Sequence, residues 1–379
     1  MSRISKFYLE EMNNNKVLII SKSPSPPWND SAKNIIKDIL DNIKNFDIEY
    51  FSDGKTNFKD NHIENIIYKK DTSYALSLSQ QLSVFFNLLK PDYRNSIYHY
   101  FFSPNIKTSF ATGFIQKLKY QPSIQTILSL PKTFNNPERL FFGDEIVSMS
   151  NTAKLKLNKL GYDNVTTIYP GVKSEKVHRD EVLYQKHKFG IDAEKMTIMY
   201  AGDYNDSLYP FLDLIKDLET TKSKKYKFIF AIREKSQKDK IFLLNLKNKI
   251  KSLGISREFL KLYGEVKDFK KLLLATDILI MTQTDLYAKM DIPLVILEAM
   301  NYKKTVILFD NPFFREINKE ENIFIVKDFN ELKIALEKSE KISVRTNTGL
   351  KNLSVIKKYF TNEIMVENYE KLYQKLLRK

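Results

Sequence analysis

One feature constrains this 379-residue chain more than any other: short, β-rich apolar segments alternate with helical patterns, in two series separated by a break. Lys16–Ser21 (KVLIIS), Ser96–Phe102 (SIYHYFF), Ser123–Leu128, Glu145–Ser150 and Val165–Tyr169 read as strands, with helices near Ala32–Ile43 and Ala153–Leu160. Strands this continuously apolar suit a parallel sheet covered on both faces. Pro170-Gly171 interrupts the pattern and opens a charged, irregular stretch to about Glu194, which we read as the interdomain linker. Strands resume at Met196–Ala201, Phe228–Ile232, Leu260–Tyr263, Ile278–Thr282, Thr305–Phe309 and Ile323–Val326. Helices are expected between them over Tyr209–Leu218, Asp239–Leu253, Phe269–Ala275 and Pro293–Tyr302, and Asn352–Lys379 reads as one amphipathic helix. The expectation is an α/β protein of two Rossmann-like, doubly wound domains facing across a cleft. Residues 1–172 form the first and 173–352 the second, and a C-terminal helix over 353–379 is free to return to the first. Ligands of such sheets bind beyond the carboxyl ends of the strands, where the strand order reverses.

Composition narrows the function. A hydrophobic fraction of 42% with 13% aromatics is enough to fill two cores, so disorder is excluded. No stretch approaches the roughly 18–20 apolar residues of a membrane span. The opening MSRISKFYLEEMNNNK has no apolar core of a secretory leader, and a cytoplasmic protein is expected. The absence of cysteine excludes disulfides, thiolate ligands and a cysteine nucleophile. The four histidines, His62, His99, His178 and His187, lack metal-ligand spacing, and no metal or other cofactor is expected. Neither the dinucleotide glycine fingerprint nor a Walker loop is present. The net charge of +15 is spread over both halves, 24 Lys/Arg against 18 Asp/Glu through Asp180 and 37 against 28 after it. A Lys-rich solvated surface explains that balance most simply. Attraction to a phosphorylated donor, to an acidic membrane at which the protein is peripheral, or to nucleic acid stays open, although no basic-aromatic stripe supports nucleic acid.

The most informative segment is Asp285–Asp310, DLYAKMDIPLVILEAMNYKKTVILFD. A loop with a base and an acid, Lys289 and Asp291, runs through Ile292 into Pro293 and Leu294 at a helix start. Proline suits that position because its missing N–H would be unpaired there in any case. The free amides of the first turn and the positive end of the helix dipole suit a diphosphate. Glu298 lies about one and a half turns inside the helix, where its carboxylate could accept hydrogen bonds from two ribose hydroxyls. Acids near a helix start also stabilise it without any further duty, so Asp291 has a purely capping alternative.

This segment resembles retaining glycosyltransferases of the GT-B fold, GT4 type, whose loop and helix read roughly E-G-F-G-L-x-L-L-E-A-M. The likeness runs through Pro293-Leu294-Val295-Ile296-Leu297-Glu298-Ala299-Met300 and Thr305-Val306-Ile307. It implies a nucleotide-sugar donor, UDP- or GDP-linked, with Glu298 on the ribose. The family's first acid, which contacts the transferred sugar, falls on Met290; the resemblance then implies that the neighbouring Asp291 substitutes, flanked by Lys289. Tyr169-Pro170-Gly171-Val172 is similar to the family's segment joining the two lobes. Where the family has a strand ending in G-R-L and a lysine five residues on, this chain has Gly202, Asp203 and Leu208. The usual cationic clamp is therefore absent. Arg233 is the best replacement, since guanidinium meets phosphate oxygens bidentately, with Lys289 and Lys235 behind it. Tyr263-Gly264-Glu265-Val266 is similar to the family's base-binding stretch, which places Val266 beside the base. On the acceptor side the resemblance points to the loop Pro24–Asp30, with Trp28 stacking on a sugar, and to His99. Flanked by aromatics on a strand, His99 also reads as a satisfied core histidine. Four readings result: a glycosyltransferase, a degenerate scaffold that binds nucleotide or glycan without turnover, a transferase acting on nucleic acid, and a nucleotide-sugar epimerase on the same scaffold. The acceptor and its linkage are not legible.

Overall fold

The computed structural model describes residues 15–378 apart from 29, 57, 59–61, 70–75, 94, 135, 235, 287 and 288. The chain divides into two compact units. The first comprises the chain up to Gly171, the segment Leu286–Pro293 and the residues from Phe360 onward. Its sheet has seven strands: β1 (Lys16–Ile20), β2 (Asp47–Ser52), β3 (Ile63–Ile66), β4 (Ile97–Phe101), β5 (Ser123–Ile127), β6 (Glu145–Ser148) and β7 (Val165–Thr167). The order is β3-β2-β1-β4-β5-β6-β7 and all pairs are parallel, so the order reverses between β1 and β4. KVLII and IYHYF occupy the middle, buried on both faces as their unbroken apolar character requires.

Helices α1 (Ser31–Asn42), α2 (Leu78–Leu89), α3 (Ile106–Lys119) and α4 (Asn151–Lys159) belong to this unit. Each starts where a short polar side chain can accept from the otherwise unpaired amides of the first turn. Asp30 takes Ala32 N and Lys33 N for α1, Asn105 takes Thr108 N for α3, and Ser150 takes Ala153 N for α4. Ser77 and Gln80 form a reciprocal capping box for α2. Strands β2 and β3 and helices α2 and α3 are additions to the elements read from sequence. β2 alternates charge with apolar residues, and the edge strand β3 is half exposed.

The second unit comprises Val172–Asp285 and Leu294–Tyr359. It opens with α5 (Arg179–Lys188), a correction to the irregular linker expected there. Six parallel strands follow: β8 (Met196–Gly202), β9 (Tyr226–Ile232), β10 (Leu260–Tyr263), β11 (Ile278–Met281), β12 (Thr305–Phe309) and β13 (Phe324–Val326). Their order is β10-β9-β8-β11-β12-β13, reversing between β8 and β11. The crossovers carry α6 (Leu208–Lys222), α7 (Gln237–Ser252), α8 (Phe269–Leu274), α9 (Leu294–Asn301) and α10 (Pro312–Arg315), and α11 (Phe329–Lys338) and α12 (Ile342–Tyr359) follow the last strand. One core runs under this sheet, built on Phe211, Phe228, Phe230, Ile280 and Leu336. At the amino ends of its strands, Lys186 pairs with Asp277 at 2.8 Å, and the same carboxylate accepts from Thr197 N. Buried Lys304 donates to the Leu274 carbonyl at 2.6 Å beside them. Helix α12 passes close to the turn before β12: a Cβ on Gly349 would sit 2.3 Å from the Lys303 carbonyl oxygen.

The single helix expected over 352–379 is two, α12 and α13 (Asn362–Leu377). The chain leaves α12 at Phe360, and Thr361 restarts it by accepting from Ile364 N. Helix α13 returns to the first sheet, where Glu370 accepts from the backbone amides of Lys44 and Asn45, and Lys375 pairs with Glu145 at 2.6 Å. Its Tyr373 hydroxyl lies 2.7 Å from His99 Nδ1, and its Tyr369 hydroxyl 3.2 Å from Thr126 Oγ1.

Candidate functional site

In the second unit the sequence-derived positions gather at the carboxyl edge of the sheet. Strand β8 ends at Gly202, and the loop to α6 is tightly organised. Tyr200 donates its hydroxyl proton to the Asp203 carbonyl (3.0 Å), and Asn205 Nδ2 donates to the Tyr200 oxygen (2.7 Å). Ser207 meets Thr282 at 2.6 Å, which ties this loop to the end of β11 across the point where the strand order reverses. Gly202 pairs in register with Ile232, so Arg233 leaves β9 directly beside the same loop, half-buried. Val266 follows β10, also half-buried. Lys235 lies outside the described residues. Leu208, at the position where a lysine was sought, is fully buried in the core under the sheet, so no cation fits there.

Helix α9 follows β11. Its Ile296, Leu297, Ala299 and Met300 are buried, while Glu298 keeps its side chain 14% exposed. Burial pushes the Glu298 carboxyl above its usual range, against the opposing pull of Lys270, whose ammonium on α8 lies 3.2 Å away. Lys270 itself is largely exposed. Glu298 is thus a largely buried carboxylate that reaches an exposed lysine. Pro293 precedes the helix and Leu294 opens it, and no acidic residue in the first turn competes for its amides.

Sequence reasoning did not single out three polar groups at this edge. The hydroxyls of Tyr204, after β8, and Tyr263, at the end of β10, are buried without a hydrogen-bond partner among the described residues, as is Gln283 Oε1 after β11. Unpaired buried polar atoms are costly; ten occur among the described residues, and these three follow strands at the edge where such sheets take ligands. Burial, with Glu234 and Asp239 adding to it, pushes the Tyr204 phenol up to about 12. No spacing rule would have found these residues, because aromatics near strand ends are ordinary core residues.

The other candidates belong to the first unit. Asp291 is buried, its amide donates to the Leu128 carbonyl (2.9 Å), and its Oδ2 accepts from Ser150 Oγ (2.8 Å). Ser150 is also the capping residue of α4, so Asp291 is hydrogen-bonded to the start of a helix distant from it in sequence. Met290 and Ile292 on either side are buried, and Lys289 is half-buried with its amide bonded to the Leu286 carbonyl. His99 is corrected as an acceptor-side residue: it is 0% exposed, both ring nitrogens are engaged, by Tyr373 and Thr126, and burial holds it neutral at about 3. Trp28 is 37% exposed, with Lys37 Nζ 5.7 Å from its ring and Phe58 against its edge. Its loop is fixed by the Lys22–Asp30 ion pair and by Lys33 donating to the Ser25 carbonyl.

With this geometry in view, the match to known proteins is informative. Residues 185–344 match the family Glycosyl transferases group 1. The matched region begins in α5, ends in α12 and contains Gly202, Arg233, Val266 and Glu298. No curated protein matches the chain in sequence at a significant level. Among solved structures, sucrose-phosphate synthase from Thermosynechococcus elongatus superposes with a TM-score of 0.76 at 11% identity, covering 96% of this chain and 99% of that one. Anabaena HepE, solved in complex with UDP-glucose, gives 0.73 at 14% identity, with 95% and 99% covered. A glycosyltransferase from Rickettsia africae gives 0.72 at 14% identity, with 97% and 100% covered. At these identities the likeness is one of fold: two Rossmann-like parallel sheets of seven and six strands, as in GT-B glycosyltransferases.

Proposed function

We propose that this protein is a glycosyltransferase that takes a hexose from a UDP- or GDP-sugar and passes it, with retained configuration, to a glycan, lipid or other acceptor. The observation that carries the reading is Glu298: a packed, largely buried carboxylate on α9, inside the group 1 domain, paired with the exposed Lys270. A carboxylate accepting from both ribose hydroxyls makes charge-assisted bonds, stronger than neutral ones. The diphosphate would meet the α9 amides and the Arg233 guanidinium, and the base would lie along Val266 with Tyr263 and Gln283 offering unpaired polar atoms.

In the reaction the bond from the anomeric carbon to the diphosphate oxygen breaks and a bond to the acceptor oxygen forms. The acceptor's proton passes to the departing diphosphate, so no side-chain base is required. Rate enhancement then comes from amides and cations already aimed at the charge that develops on the leaving group. We propose that this needs no metal or other cofactor and that the protein works in the cytoplasm. Asp291, given to Ser150 and the α4 cap, positions the loop in this scheme.

Calorimetric titration with UDP, GDP, ADP and CMP tests the site. One diphosphate should bind the wild type, and Glu298→Ala should lose about 2 kcal/mol, roughly thirtyfold in Kd, from two bonds to a charged acceptor. Equal affinity in the variant would remove Glu298 from the ribose. A second reading, a nucleotide-binding scaffold without turnover, is favoured by the apolar burial of Leu208 where a cation was sought. Donor binding with no turnover across a panel of acceptors would select it.

A further inference from the structure

Helices α2 and α3 of the first unit present to solvent what helices normally hide. Their inward faces share one core, in which Val84 and Leu88 of α2 and Ile115 of α3 pack with Leu18, Ile20 and Tyr98. The outward faces are also apolar. Leu82 and Phe86 on α2, and Ile106, Phe110, Phe114 and Leu118 on α3, are all exposed, Phe110 by 72%. The spacing of four along α3 puts its residues in one stripe. The two helices touch, and their carboxyl ends are fastened together by Lys119, which donates to the Leu89 and Lys90 carbonyls at 2.9 and 2.8 Å. The stripes therefore form one continuous apolar surface rather than scattered exposed side chains. Monomeric soluble proteins rarely carry such a patch without a partner for it.

The charges decide which partner. Neither helix contains an aspartate or glutamate, whereas Lys107, Lys117 and Lys119 lie on α3 and Lys90 at the end of α2. Lys90, Lys107 and Lys117 are exposed. An apolar stripe containing aromatics, on helices whose own charges are all cationic although Glu138 lies on the turn packed against α3, fits the interface of an anionic bilayer: the rings enter the headgroup boundary while the ammonium groups meet lipid phosphates. We propose that the α2–α3 face docks this protein peripherally on a membrane surface containing anionic phospholipid. The proposal uses no residue of the second unit and stands whether or not the donor reading holds. A peripheral site of this kind would give the protein access to acceptors that are themselves lipid-borne.

The test is sedimentation of the full chain with vesicles of phosphatidylcholine alone and of phosphatidylcholine with about a third phosphatidylglycerol, at low and high salt. Wild type should sediment with the anionic vesicles, weakly or not at all with the neutral ones, and less as salt rises. Phe110→Ser combined with Phe114→Ser should lower the vesicle affinity at least about tenfold, and Lys107→Glu combined with Lys117→Glu by a similar factor. These side chains are exposed, so circular dichroism and melting temperature should match wild type in both variants. Absence of wild-type sedimentation at low salt would overturn the proposal, as would unchanged sedimentation of the phenylalanine variant. So would a dimer in light scattering that the phenylalanine variant converts to monomer, because a second copy would then be what covers the face.

Discussion

Asp291 and Glu298 are seven residues apart in one motif, yet their surroundings give them different work. Asp291 is buried and accepts from Ser150 at the start of α4, whereas Glu298 keeps its side chain 14% exposed beside Lys270. Residue type and spacing are alike for both, and only tertiary burial separates them. A similar argument applies to Lys304, buried at the amino ends of the second sheet with Asp277 and Lys186 for charged neighbours. Burial lowers its ammonium to about 8. A lysine whose folded value is depressed is penalised in its charged form, so the penalty is complete below about 8 and disappears as pH rises toward the unfolded value of 10.5. The difference amounts to at most about 3 kcal/mol. Lys304→Met removes the titration. Urea midpoints should show the variant at least as stable as wild type at pH 7.5, but less stable at pH 10, where neutral Lys304 keeps its bond to the Leu274 carbonyl. Parallel profiles for the two proteins would sink this account.

At the scale of elements, close approach matters as much as burial. Helix α12 lies against the turn at Lys303, a non-glycine residue with φ of 57°, and Gly349 is what permits the approach. Gly349→Ala places a Cβ against a backbone carbonyl that cannot rotate away, and overpacking of this kind costs about 1–3 kcal/mol. The expected result is a lower urea midpoint with an unchanged slope; a midpoint equal to wild type would mean that α12 shifts without cost. The elements themselves were legible wherever the chain is uniformly apolar, as in β1, β4, β8, β9 and β12, because a strand covered on both faces leaves that mark. Strand β2, DIEYFS, was not legible, since half its positions are polar, nor was the edge strand β3. Helix α3 defeats periodicity for a physical reason: apolar residues lie on its exposed face as well as its buried one, so the contrast from which a helical stripe is read is weak. Of the candidate site, the α9 segment was readable through the likeness of Pro293–Met300 to a known motif. Tyr204, Tyr263 and Gln283 were not, because what singles them out is an unpaired atom, and pairing exists only once the chain is folded.

At the scale of the whole molecule, the first unit is assembled from three separated stretches of chain, and the second lies between them. His99 shows what the last stretch contributes. A neutral imidazole in the middle of the sheet is satisfied only when Tyr373 arrives from α13, and Glu370 and Lys375 fasten the same helix at two further places. Ending the chain after Tyr359 should therefore leave His99 Nδ1 and the apolar surface beneath α13 uncovered. We expect such a chain to be recovered mainly as aggregate, and a soluble product with native circular dichroism would refute that expectation. The order of segments also sets a timetable during synthesis. Between Gly171 and Phe360 the ribosome adds 188 residues, which takes roughly 10–40 s at ordinary elongation rates. Throughout that interval the nascent first sheet waits with one aromatic side open, while the segments of the second unit are being made. The later-made helix α13 thus covers the earlier-made sheet, and how long that side stays open is set by the order of the segments.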